Sequence, residues 1–118
     1  MAVLTTTAFA AGNNPVTATV NTASASDTFT YVAGTNQMIE LDNTTAGSLT
    51  VVIVGSAPNA AYPVPKTHTT VNLSTGLSVI IAAGVKKVIN CDKISAFLDG
   101  TGVVTVSGFT AGKVTIYA

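Results

Sequence analysis

The 118-residue chain has no arginine, no tryptophan, one cysteine, one histidine and only 8% charged residues. Each scarcity removes a class of function. Nucleic-acid binding requires clustered basic side chains to neutralise phosphates, and the densest basic feature is Lys86 beside Lys87. No nucleic-acid partner is expected. One cysteine permits no internal disulfide, so the roughly 2–4 kcal/mol that such a bridge adds must come from packing or subunit contacts. Cys91 is expected to be a small buried hydrophobe. A membrane span needs about 20 consecutive apolar residues, and the longest runs, 51–54 and 79–83, are strand-sized. No membrane partner is expected. His68 and Cys91 alone cannot fill a zinc site, and no serine sits in a G-x-S-x-G context. The sequence therefore points to no catalytic residue, metal, cofactor or small-molecule substrate, and to no enzyme.

What is present is β-branched. Val, Ile and Thr supply 43 of the 118 residues, types that fit a pleated, half-buried surface better than a helix. The length suits one domain with a single hydrophobic core. Charge falls well short of the roughly 25% of an average soluble domain while the hydrophobic fraction, 47%, is ordinary. The surface must then be mostly Thr, Ser, Asn, Ala and Gly. A net charge of +0 supplies no self-repulsion to hold copies apart, which favours assembly.

Two stretches organise the pattern. Residues 77–91, LSVIIAAGVKKVINC, read as two sequential strands turning at Gly84, and residues 37–54, QMIELDNTTAGSLTVVIV, repeat the plan around Gly47. Residues 1–14 read as an extended N-terminal arm ending in a Gly-Asn-Asn-Pro turn, with the β-sandwich domain at 15–118. The opening MAVLTTTAFAAG lacks a basic segment and is interrupted by three threonines, so it is expected to belong to the mature protein. Alternation predicts strands at 16–20, around Phe29 and Tyr31, at 38–42 with Ile39 and Leu41 inward, and at 49–54 with Val51 and Ile53 inward. Glu40 and Asp42, neighbours on the wet face of one strand, are expected to be solvated. Residues 55–68 hold three of the four prolines and read as a long stiffened loop, followed by a strand at 69–73. Failed alternation after Gly84 predicts a bulge there or an edge strand guarded by lysine. Residues 92–99, DKISAFLD, read as one or two helical turns with Asp92 as N-cap. Two closing strands bring Val104, Val106, Val114 and Ile116 into the core. The expected fold is all-β: one β-sandwich or small barrel, in the jelly-roll or immunoglobulin-like range, of eight or nine short strands with an N-terminal arm.

Three segments carry a family resemblance: LDNTTAGSLTVVIV, VIIAAGVKKVI and DGTGVVTVSG. In them the chain resembles the small all-β decoration, or cement, proteins that stud the capsids of tailed bacteriophages; usual members carry more charge. The resemblance implies a structural virion protein, made in the host cytoplasm and bound to the capsid exterior. It would bridge copies of the major capsid protein and strengthen the shell. Self-association as a homotrimer is the first expectation, with a dimer as the alternative. The family offers no residue motif to carry over, so the interface candidates come from the residues themselves: Leu4 and Phe9 in the arm, and Tyr62, Val64 and Lys66 in the stiffened loop. Other classes remain open, namely a fibre or tube subunit of a virion, or a surface-adhesion or glycan-binding module.

Overall fold

The computed structural model describes residues 2–8, 17–55, 62–64, 69–71, 73, 75–98 and 101–118. Among them are twelve strands: β1 (Ala2–Val3), β2 (Thr6–Thr7), β3 (Asn21–Thr22), β4 (Ser26–Val32), β5 (Met38–Asp42), β6 (Leu49–Gly55), β7 (Tyr62–Val64), β8 (Thr69–Val71), β9 (Leu77–Ile81), β10 (Lys86–Asn90), β11 (Thr101–Ser107) and β12 (Lys113–Tyr117). One sheet has the order β1-β4-β11-β6-β9; the other runs β10-β5-β12-β2, with β3 also paired to β12. Their apolar faces enclose one core, and the chain is an all-β sandwich. Inward positions alternate as period 2 requires: Ile39 and Leu41, Val51 and Ile53, Val104 and Val106, Val114 and Ile116 are all buried.

The two repeated stretches are arches, each crossing from one sheet to the other. The first leaves the β10-β5-β12-β2 sheet as β5 and enters the β1-β4-β11-β6-β9 sheet as β6. The second makes the opposite crossing, from β9 to β10. Because β6 pairs with β9 and β5 with β10, both antiparallel, the arches stack along both limbs. Gly84 takes φ +71° at the second crossing, a left-handed value that glycine adopts without steric cost. Asn43 joins the two turns. Its backbone N–H donates to Val85 O at 3.0 Å, and its carbonyl accepts from Gly84 N at 2.9 Å. Its side-chain Nδ2 donates to Gly47 O and Ile81 O at 2.8 Å each and to Ala82 O at 3.2 Å. Thr45 returns two bonds to Asn43 Oδ1, from its N at 3.0 Å and its Oγ1 at 2.6 Å. A fully buried Asn thus satisfies carbonyls that the crossings would otherwise orphan.

The opposite side of the sandwich is closed by the N-terminal segment. β1 runs parallel to β4 in one sheet, and β2 runs parallel to β12 in the other. Leu4 lies between them, 5% exposed and part of the core. Its N–H donates to Thr28 O at 2.7 Å, while Ala118 N donates to Thr7 O at 2.9 Å. Residues 2–7, expected as part of an arm, are therefore woven into both sheets. The remainder of the expected arm, 9–14, lies outside the described residues.

Other local expectations shift. Residues 17–20 form no strand and are exposed; β3 begins at Asn21, whose Nδ2 reaches Thr5 O and Val114 O at 3.1 Å each. The 55–68 stretch is more than a connection, because Tyr62, Pro63 and Val64 pair with Val71, Thr70 and Thr69 in a separate two-stranded sheet. Of the two readings around Gly84, the edge strand holds: β10 is the outermost strand of its sheet and carries Lys86 and Lys87. A 3-10 turn, Cys91–Ile94, and a short helix α1, Ser95–Leu98, lead back toward β11, with Leu98 buried and Ile94 and Phe97 packed on the core. The cap is Asn90, which accepts from Asp92 N at 2.9 Å. Asp92 has another role.

Candidate interaction surface

Three of the five sequence-derived interface residues, Leu4, Tyr62 and Val64, are among the described residues. Leu4 presents almost no surface because the strands on either side of it turn its side chain into the core. Tyr62 and Val64 lie on β7, where the backbone pairing is described and the side chains are not. Phe9 and Lys66 fall outside the described residues, as does His68.

The two outward faces of the sandwich differ in charge. On the β10-β5-β12-β2 sheet, Glu40 and Asp42 of β5 point outward beside Lys86 of β10, whose Nζ lies 4.0 Å from Glu40 and 3.9 Å from Asp42. Lys113 of β12 stands opposite Asp42 in register and donates to Thr22 Oγ1 at 3.0 Å. The solvated reading of the two acids holds, since an exposed lysine between them gives an ion pair of little net stability.

The β1-β4-β11-β6-β9 sheet presents another chemistry. Its outward positions follow from register. Val3 is level with Thr28, Thr28 with Thr105, and Thr105 with Val54. Thr30 faces Val103, and Val32 follows two residues along β4. Ser107 lies between Ser26 and Val52, and Thr50 faces Ile80. Every one of these positions is Val, Ile, Ser or Thr, and none is charged. The exposed apolar members are large: Val3 is 82% exposed, Ile80 64% and Val103 50%. The signal that marks them is the absence of any charge at the outward parity of five strands, visible only once the strands are assigned to one sheet.

Asp92 holds a corner rather than a reaction centre. Its carboxylate accepts from Tyr31 Oη at 2.7 Å, Gly34 N at 3.0 Å and Asn36 N at 2.9 Å, tying the turn after β4 to the 3-10 turn. Asn36 sits there at φ +53°, a conformation that Asn tolerates better than most side chains. The Tyr31 hydroxyl foremost, then the two amides, hold the Asp92 carboxyl below the usual carboxylate range. Burial first, and the Asp92 bond second, push Tyr31 up to about 12. Burial likewise pushes the neighbouring Cys91 thiol up to about 12, leaving no thiolate at neutral pH. Asp27 is buried on the inward side of β4 and is held by Ser24, whose N–H donates at 2.7 Å and whose hydroxyl donates to the other carboxylate oxygen.

Among the described residues there is no pocket and no group of three or more His, Cys, Asp or Glu side chains able to share a metal ion. No helix among them is long and apolar enough to cross a membrane. The arrangement offers surfaces. No known protein family, curated protein or solved structure matches the chain.

Proposed function

We propose that the chain is a structural virion protein that decorates the exterior of a phage capsid and stabilises the shell by bridging copies of the major capsid protein. One observation carries the reading beyond the sequence resemblance itself. The three resembling segments, separated in sequence, are neighbours in space: the first covers the end of β5 and most of β6, the second most of β9 and β10, and the third reaches β11, which pairs with β6. They make up one continuous paired unit, so the resemblance follows the skeleton of the sandwich rather than scattered Thr/Val strings. A sandwich closed at both sides by chain crossings is a stiff body, and binding a stiff body across a subunit junction spends little on ordering.

The mechanism is mass action. A site that exists only where several capsid subunits meet favours the assembled, expanded shell in proportion to its occupancy. The hairpin region with Tyr62, Val64 and Lys66 remains the candidate for shell contact, together with Phe9; Leu4 is not, since its side chain is committed to the core. Pelleting the purified protein with undecorated expanded heads and with unexpanded proheads tests the proposal. Saturable binding at a fixed ratio to the shell protein, with expanded heads preferred, is the expected result. No binding to either particle overturns it.

A further inference from the structure

We propose that the uncharged outward face of the β1-β4-β11-β6-β9 sheet is the contact between two copies of this chain, related by a twofold axis. Three observations carry this. A face that is to be buried must shed its water, and buried charge makes that costly. Among the described residues the opposite face holds Glu40, Asp42, Lys86 and Lys113, whereas this one holds none. Its exposed side chains, Val3, Thr30, Val32, Thr50, Ile80 and Val103, can meet the same set turned by a half rotation, methyl groups against methyl groups and hydroxyls against hydroxyls or trapped water. The chain's net charge of +0 leaves no long-range repulsion between copies.

The 28 residues of β1, β4, β11, β6 and β9, at about 3.3 Å rise and about 4.8 Å strand spacing, tile roughly 450 Å². Two such faces bury at most roughly 900 Å², just under the bound of about 1,000 Å² for a stable interface, so the dimer belongs with the weak, reversible ones. A face-to-face contact of this kind is isologous and closes at two copies. Of the trimer and dimer that composition leaves open, it selects the dimer. The inference concerns the free protein and stands whether or not the chain decorates a shell.

Sedimentation equilibrium tests it with three single variants. Val103→Lys and Ile80→Lys each put a lysine on the uncharged face, while Val88→Lys puts one on the opposite sheet, at a position 59% exposed. All three residues are exposed, so the variants are expected to unfold at nearly the wild-type temperature, which circular dichroism checks. Wild type is expected to be dimeric at about 100 μM and to dissociate on dilution toward about 1 μM. Val103→Lys and Ile80→Lys should each weaken dimerisation at least about tenfold, the equivalent of about 1.4 kcal/mol, with Val88→Lys dimerising as wild type does. A wild-type monomer at high concentration, a trimer, or a dimer insensitive to both face lysines would overturn the proposal.

Discussion

Asn43 donates its side-chain amide to the carbonyl of Ile81 at 2.8 Å, joining the turn of the first arch to the last residue of β9 in the second. The bond spans 38 residues and lies in the buried interior. It closes the end of the sandwich at the point where both chains leave one sheet for the other and regular ladder pairing stops.

Replacing Asn43 therefore has a large effect for one small side chain. Asn43→Ala leaves the Ile81 and Ala82 carbonyls without their donor and should lower unfolding free energy by about 2–3 kcal/mol. Asn43→Asp keeps the acceptor for Thr45 but turns an oxygen toward those carbonyls, and should cost at least as much. Urea denaturation of the three proteins, compared at constant m-value, measures both.

The Tyr31 to Asp92 bond gives a two-sided pH signature. The folded Asp92 carboxyl titrates below its unfolded value of about 3.9, so its contribution is complete above that pH and is lost as pH falls through the lowered folded value. The folded Tyr31 hydroxyl titrates near 12, above its unfolded value of about 10, so its contribution is complete below pH 10 and is lost as pH rises toward 12. The stability difference between wild type and Tyr31→Phe is expected to be flat from about pH 5 to pH 9 and to shrink on both sides. Thermal unfolding from pH 2 to pH 12 checks it. A difference that stays constant below pH 4 contradicts the assigned role of Asp92.

Cys91 is fully buried, and its thiol is held neutral to about pH 12. It should resist a thiol reagent such as DTNB in the native protein at pH 8 and react completely in denaturant. Labelling of native protein much faster than global unfolding would mean that the 3-10 turn opens locally.

The N-terminal closure predicts a contrast between adjacent residues. Leu4→Ala should cost about 2–3 kcal/mol, as for other buried leucines. Val3→Ala, at the exposed position just before it, should change stability by less than about 0.5 kcal/mol. Deleting residues 2–7 should lower the unfolding temperature, whereas a merely frayed end would leave it unchanged.

Alternation made the inward side chains legible in the sequence, because period 2 assigns a face to every residue of a strand. Ile39, Leu41, Val51 and Ile53 were readable in this way and are buried. Alternation says nothing about which sheet a strand joins. The turn at Gly84 looks local, yet β9 and β10 lie in different sheets and pair with β6 and β5. The same limit hid the uncharged face, which exists only once β4, β6, β9 and β11 are set side by side. Residues 17–20 alternate well and still form no strand: near them the available edge of β12 is already taken by β2 and β3. Asp92 looked like a helix cap because Asp favours that position. Asn90 caps instead, and Asp92 is drawn to donors 56 to 61 residues away in sequence, which no local pattern reveals.

The central proposal is that this chain coats a phage shell, and the most direct measurement is its copy number in purified particles of a phage whose genome carries this sequence. Quantitative mass spectrometry against the major capsid protein should find a fixed stoichiometric ratio, with the chain present in the head and removable without loss of the tail. Absence from the particle, or only a few copies tracking tail components, would contradict the account.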